Sequence, residues 1–508
     1  MSVPLRSRED TEAELPPPET TDPQPTVHVE STWSLERERR LAWWILLAVG
    51  AGYLVAQLAL MPLHRPIGWD EAIYMSQVTP GMEALFVDAW RARGITLLIA
   101  PVTLLGGSLA DVRLFLMVAS AATVTVAFRF WIPLIGVAAP IAALLFSFTS
   151  LGLVNGSTVM PNFWAAILGV GAAGLVARRL EGGTLLHAVL AAAVLGMMAL
   201  VRPTEATILA GIVALYVILI RPNSWRLLLG LALGLALGWL PWIVEMSIRF
   251  DGLANALEEV SAAGHFGDVS VTHNVLVHLG RTYGRAKLPA FGLPAAGILW
   301  WGLLVLLAAI ALRRQGDPPA RSAALLGWLA TIAFAVEYFV LVPFTAGRFL
   351  LPVYAFVAIA AAIGLVSLLR NGIAARLVGA VVLVLLVPWA VWQGDVGSSV
   401  VAGQARGGTK FAAAGLLLRD LADGRPCSFV SPGAFPQVHF VSGCVGEQLG
   451  PPPLPTPAQW DAAAAGEEVF IILPRTVHAD HPLAVLSPIR FRAPRRMWFI
   501  YQLSELYE

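Results

Sequence analysis

Charge is scarce in this chain: Asp, Glu, Lys and Arg make up 13% of its 508 residues, and lysine occurs only at Lys287 and Lys410. No basic block of the kind that tracks a phosphate backbone is present, so nucleic acid is not an expected partner. Cysteine is nearly absent as well. Cys427 and Cys444 are the only two, which excludes a disulfide-dense scaffold. No P-loop or dinucleotide glycine fingerprint is found, so nothing points to a bound nucleotide. The first 35 residues, rich in Pro, Glu and Thr, offer almost nothing to bury and read as a disordered tail. They do not form a signal peptide, because the first apolar run begins too late and is too long.

Hydrophobic residues, in contrast, make up 57% of the chain, gathered in runs near the ~20 residues that cross a bilayer. Candidate spans fall at 41–61, 112–129, 134–151, 162–177, 184–200, 206–220, 227–244, 291–311, 322–340, 349–368 and 377–393, about eleven in all. The expected fold is an all-α polytopic membrane protein with its transmembrane domain over 36–393. With a cytoplasmic N-terminus, the inner connections carry Arg37, Arg39 and Arg40, then Arg129, Arg178, Arg179, Arg221, Arg226, Arg313, Arg321, Arg370 and Arg376. That is the distribution the positive-inside rule asks for. The outer loops are then 62–111 and 245–290, and residues 394–508 lie outside a multi-pass plasma-membrane protein.

This C-terminal segment has the patterning of a small α/β domain. "CSFV" (427–430), "EVFIILP" (468–474) and "MWFIYQL" (497–503) read as short strands, and "KFAAAGLLLRDLA" (410–422) as an amphipathic helix. Both cysteines fall here, and in an oxidising exterior Cys427 and Cys444 are expected to pair. Closing a loop of that length is worth roughly 3 kcal/mol in the chain-entropy model.

The sharpest local feature is "HRPIGWDEAIY" (64–74), just beyond the first span. Two neighbouring carboxylates, Asp70 and Glu71, repel one another there unless something engages them. One can serve as a general base while the other positions a hydroxyl, or a divalent cation can hold both; the bland alternative is the acidic first turn of a surface helix. Outer-face arginines stand where topology disfavours positive charge: Arg91 and Arg93, Arg202 in "LVRPTEA", and Arg348 in "FTAGRFLLP". An arginine fork suits a phosphate diester, so cations beside carboxylates suggest a lipid phosphate above an acid–base centre.

A first span followed by "WDEAIY" (69–74) and many further spans resembles the membrane glycosyltransferases of the GT-C fold, family 39 and its relatives. That group includes protein O-mannosyltransferases and aminoarabinose transferases. "LVRP" (200–203), "TVMPN" (158–162) and "GRFLLP" (347–352) support the resemblance, which covers about residues 41–370. It implies a sugar donor carried on polyprenyl phosphate, membrane lipids around the site, and a hydroxyl acceptor on an extracytoplasmic glycan, lipid or protein, usually with inversion. It implies Asp70 as general base, with Glu71 orienting the acceptor or holding a metal. Arg91, Arg93, Arg202 and Arg348 would bind the lipid phosphate, and Tyr74 and Asn162 would position substrate. A divalent metal is left open, with Glu71 and His265 as its candidate ligands. The chain departs from the family pattern where relatives carry a second acid after the third span; here "NGSTVMPN" offers Asn155 and Asn162. A transporter or flippase of lipid-linked glycans is the competing reading, although no internal repeat supports it.

Overall fold

The computed structural model describes residues 27–262, 295–313, 318–342, 346–431, 433, 435–448, 455–477, 481–493 and 496–506. Helix α1 (Val27–Leu60) is followed by two shorter helices, α2 (Trp69–Ser76) and α3 (Gly94–Leu104), and then by α4 (Leu109–Arg129). Next come α5 (Ile132–Ile135), α6 (Ala138–Ser147), α7 (Ser150–Gly156), α8 (Pro161–Leu180), α9 (Leu185–Val201), α10 (Pro203–Ile220) and α11 (Trp225–Arg249). Beyond α12 (Leu253–Ala262) lie α13 (Ala295–Leu312), α14 (Pro318–Val336), α15 (Leu351–Arg370) and α16 (Ile373–Ala422).

Among the described residues, eight helices are long and apolar enough to cross a membrane, and nine crossings result if α6 and α7 count as one span bent by 75°. The other two expected spans fall on α9 and α13, whose apolar stretches Leu185–Val201 and Leu299–Leu312 are shorter than those eight. The apolar segment at 94–107 forms an 11-residue helix only.

The bundle packs around α8 and α15, whose apolar windows are 83% and 100% buried. Both are rich in Ala and Gly, which lets neighbouring backbones approach in a setting where burial from water does not drive helix pairing. Peripheral helices instead expose leucine and valine, as at Leu229, Leu233 and Leu237 on α11 and Val381, Val384 and Val391 on α16. That outward apolar surface is what a bilayer would cover.

The two ends of the bundle differ in charge. At the N-terminal end of α1, Arg370 pairs with Glu38, Arg39 donates to the Pro133 carbonyl and Arg129 lies over the Trp43 ring. Asp70 follows the opposite end of α1, about 30 Å away along the axis.

Helix α16 is the largest single element. Its 50 residues run unbroken from the bundle into the C-terminal domain, a length of about 75 Å. The domain boundary expected after 393 therefore falls inside one helix, and the separate helix expected at 410–422 is its last three turns. Gly408 permits the rod to touch the first outer loop, since a Cβ there would stand 2.9 Å from Pro66.

The C-terminal domain carries a five-stranded sheet of order β2-β1-β3-β5-β4. Its strands are β1 (Cys427–Ser431), β2 (Val445–Gln448), β3 (Glu468–Leu473), β4 (Ile489–Ala493) and β5 (Arg496–Gln502). β1 is parallel to β2 and β3, whereas β5 is antiparallel to β3 and β4. The three expected strands are β1, β3 and β5; β2 and β4 at the edges are additional. A disulfide joins Cys427 to Cys444. One face of the sheet packs on Ala414, Leu418 and Ala422 of α16 and on Phe435 and Val438 of α17 (Phe435–Ser442). The first outer loop joins that cluster through Leu85, Phe86 and Trp69. Trp69 meets Phe435 edge to face at 5.8 Å, and the His439 ring bridges the carbonyls of Cys444 and Glu83 at 2.7 and 2.9 Å. The soluble domain is thus clamped onto the loop that carries the acid pair.

Candidate active site

Gly68 precedes the first helical residue of α2, and Asp70 and Glu71 occupy its first turn, where negative charge suits the helix dipole. Successive helical residues point about 100° apart, so the two carboxylates look in different directions.

Glu71 turns inward. Its Oε2 accepts from Arg113 Nη2 at 2.7 Å and from the Gly68 N–H at 3.0 Å; its Oε1 accepts from Arg113 Nε at 3.3 Å and the Val159 N–H at 3.4 Å. The Arg113 side chain is 0% exposed and that of Glu71 4%. Arg113 also donates to the carbonyls of Leu63, Arg65 and Pro66. Burial raises the Glu71 carboxyl, but Arg113 and Arg65 beside it, with the Gly68 N–H, outweigh that and hold it below the ordinary carboxylate value. Glu71, expected to orient the acceptor or hold a metal, thus fixes the loop to α4 and to the segment after α7. Arg113, absent from the sequence-derived site, was signalled by its position inside an otherwise apolar run, since charge in a span usually faces a partner.

Asp70 turns outward and is 24% exposed. Its Oδ1 accepts from Arg91 Nη1 at 3.2 Å and its Oδ2 from Arg348 Nη2 at 3.1 Å. Asp88 holds Arg91 from behind at 3.0 Å, and the Arg91 guanidinium lies over Tyr74 at 5.8 Å. Tyr74, expected to position substrate, is buried beneath the Arg91 guanidinium. Burial raises its phenol above the ordinary value.

Arg93 and Arg202 meet where α3 begins and α9 ends. A Cβ on Gly94 would stand 2.5 Å from Val201 Cα, so only glycine lets these termini abut. Arg93 donates through Nε to both oxygens of Glu245 and through Nη1 to Gln77, while its buried Nη2 has no partner. Arg202 donates to Glu205 and to the Tyr338 hydroxyl. It shares the Phe349 ring with Arg348, the two guanidinium carbons lying 5.9 and 5.4 Å from the centroid. Arg348 Nε is likewise buried without a partner. Sequence reasoning missed Glu205, a buried acid at the start of an apolar helix.

A cavity of about 610 Å³ opens beside Asp70 and Arg348. The Ser150–Asn155 stretch of α7 forms one wall, and α16 between Val396 and Phe411 forms another. Asn155 lines this wall, whereas Asn162, expected to position substrate, is 2% exposed and is not among the lining residues. Arg65, which sequence reasoning passed over, lines the cavity while donating to Ser157 O and Thr158 Oγ1.

No cluster of three or more His, Cys, Asp or Glu among the described residues is placed to hold a metal. The donor set also suits a cation poorly, because every oxygen of Asp70 and Glu71 already faces a guanidinium. His265 lies outside the described residues.

No family model and no curated protein matches the chain. Solved structures do. ArnT from Cupriavidus metallidurans bound to undecaprenyl phosphate superposes with a TM-score of 0.61 at 16% identity, over 90% of this chain and 98% of that one. The arabinofuranosyltransferase AftD from Mycobacteria gives 0.53 at 14%, over 90% of this chain and 40% of that one. The oligosaccharyltransferase of Archaeoglobus fulgidus in its apo form gives 0.50 at 12%, over 84% and 69%. These are glycosyltransferases of the GT-C fold, and the fold of this chain is GT-C.

Proposed function

We propose that this GT-C chain is a glycosyltransferase that moves a sugar from a polyprenyl-phosphate carrier to a hydroxyl acceptor at the extracytoplasmic face of the membrane, with inversion. The observation that carries the reading is the placement of Asp70. It stands between Arg91 and Arg348 and lines a cavity that Arg348 lines as well. The relationship of ArnT to undecaprenyl phosphate supports a lipid phosphate as the carrier.

The donor phosphate sits at the abutting ends of α3 and α9. Arg93 Nη2, next to the start of α3, and Arg348 Nε, next to Asp70, are buried N–H donors without partners, and such donors favour an anion. The first backbone N–H groups of α3 add to the attraction. The acceptor occupies the cavity. A carboxylate has about four acceptor positions, so two arginine contacts leave Asp70 able to take the acceptor proton. As that O–H bond breaks, the oxygen attacks the anomeric carbon from the face opposite the phosphate. The carbon–oxygen bond to the carrier then breaks, its electron pair leaves with the phosphate, and the arginines stabilise the developing charge. Glu71 and Arg113 hold α2 so that Asp70 keeps its aim.

Orientation follows from the charge of the two ends. The basic connections lie opposite Asp70, which supports a cytoplasmic N-terminus and a C-terminal domain outside. The test is a deletion strain complemented with wild type or Asp70→Asn at matched expression. Restoration of a missing envelope sugar by wild type alone supports the reading and names the linkage. Equal restoration by Asp70→Asn sinks the general-base assignment and favours transport of a lipid-linked glycan.

A further inference from the structure

The cavity wall supplied by the soluble domain and the upper part of α16 is chemically uneven. Val396, Val400, Gln404, Gly407 and Phe411 recur at helical spacing along the cavity side of the rod. Lys410 lines the same space. Its ammonium rests 4.4 Å from the Phe411 ring centroid and 5.3 Å from that of Trp498, and no carboxylate among the described residues pairs with it. Every other charge on the wall is answered: Asp70 by Arg91 and Arg348, Glu71 by Arg113, and Arg65 by the oxygens of Pro62, Ser157 and Thr158. An ammonium has three donors. Two ring faces fix it from one side and leave N–H groups for a ligand.

Gln437 on α17 supplies a second, independent signal. It is 9% exposed, lines the cavity, and its Oε1 is buried with no hydrogen-bond partner. Buried amide oxygens are rarely left unanswered unless a ligand answers them.

We infer that the acceptor carries an anionic substituent, a phosphate or a carboxylate, bound by Lys410, together with a hydroxyl or amide N–H that donates to Gln437. This rests on the reading of the cavity as the acceptor site. Lys410 and Gln437 act at the end of the cavity formed by the soluble domain, and Asp70 acts at the membrane-facing end. The soluble domain is thereby the element that selects the acceptor, and neutral glycans are poor substrates.

The test uses the full chain in lipid nanodiscs and isothermal titration with four probes: methyl glucoside 6-phosphate, methyl glucuronide, methyl glucoside, and undecaprenyl phosphate. Wild type binds one of the two anionic glycosides at least about tenfold more tightly than the neutral one, the gain expected for one charge-assisted contact. Whichever anion leads identifies the substituent. Lys410→Gln removes the preference, and Gln437→Leu weakens all three glycosides. Gly407→Leu blocks them, since a Cβ at 407 enters open space and the helix tolerates the change. Undecaprenyl phosphate binds equally to all these variants. Equal affinity of wild type for the three glycosides, no glycoside binding at all, or an undiminished preference in Lys410→Gln overturns the inference. Displacement of a bound anionic glycoside by undecaprenyl phosphate does so too, because it makes the cavity the donor site. Loss of undecaprenyl phosphate binding by wild type is a different failure, that of the proposed function itself.

Discussion

Neighbouring carboxylates that look alike in the sequence should fail in opposite ways when they are changed. Glu71 sits in a pair whose side chains are 0% and 4% exposed, with four donors on its two oxygens. Removing one partner of such a pair costs about 3–5 kcal/mol, because the other charge stays buried. Arg113 keeps three carbonyl acceptors, so Glu71→Ala belongs toward the lower end of that range. Glu71→Gln retains an acceptor and costs less, about 1.5–3 kcal/mol for the lost charge-assisted bonds. Asp70→Asn removes a contact that solvent already screens and changes stability by under about 1 kcal/mol. Scanning fluorimetry of the purified chain reads these differences. At about 1 °C per kcal/mol for a chain of 508 residues, Glu71→Ala melts roughly 3 °C or more below wild type. Asp70→Asn melts close to wild type yet loses sugar transfer. Because the Glu71 carboxyl is held below its ordinary value, its contribution is complete above about pH 4.5 and declines only as pH falls through the lower folded-state value. The double variant Glu71→Gln/Arg113→Met, which removes both charges, should melt above the single Glu71→Ala variant. Should Glu71→Ala melt with wild type while transfer is lost, Glu71 is a chemical group after all and the assignment of roles is wrong.

The abutment of α3 and α9 depends on Gly94, so Gly94→Ala should cost about 1–3 kcal/mol by overpacking and weaken undecaprenyl phosphate binding by separating Arg93 from Arg202. Arg202→Met should lower kcat by about a hundredfold if the guanidinium stabilises the departing phosphate, whereas a purely structural role would lower the melting temperature without that kinetic loss. Replacing both cysteines by serine frees a 17-residue separation and should destabilise the soluble domain by about 3 kcal/mol, seen as faster proteolysis within 427–506 while the transmembrane part stays intact.

The helical body was legible because each expected span is an apolar run bounded by charge or glycine, and nothing but length was needed to read it. The rod was not. The span expected at 377–393 and the helix expected at 410–422 left Gly394, Gly397, Gly403, Gly407 and Gly408 between them, and glycine in a helix costs about 1 kcal/mol relative to alanine. Tertiary contact reverses that judgement. Gly394 lies against Leu60, Gly397 against Met61, and Gly408 against Pro66, so the absent side chains are what allow the helix to pass. The edge strands β2 and β4 were missed for another reason: "VGEQ" and "IRFRA" lack the apolar run that marked β1 and β3, and pairing alone makes them strands.

The candidate site shows where a motif stops and geometry begins. "WDEAIY" announced two acids, and sequence alone treated them as a pair. A helix turns about 100° between adjacent residues, so two neighbours in a first turn project in different directions and meet different partners. Which of them faces inward is decided by Arg113, 42 residues later, whose charge has no solvent and takes the nearer carboxylate. That choice leaves the other acid to Arg91 and Arg348, whose guanidiniums come from 21 and 278 residues away. The buried arginine therefore helps specify the base without touching it: it engages both oxygens of Glu71 and fixes the turn from which Asp70 projects.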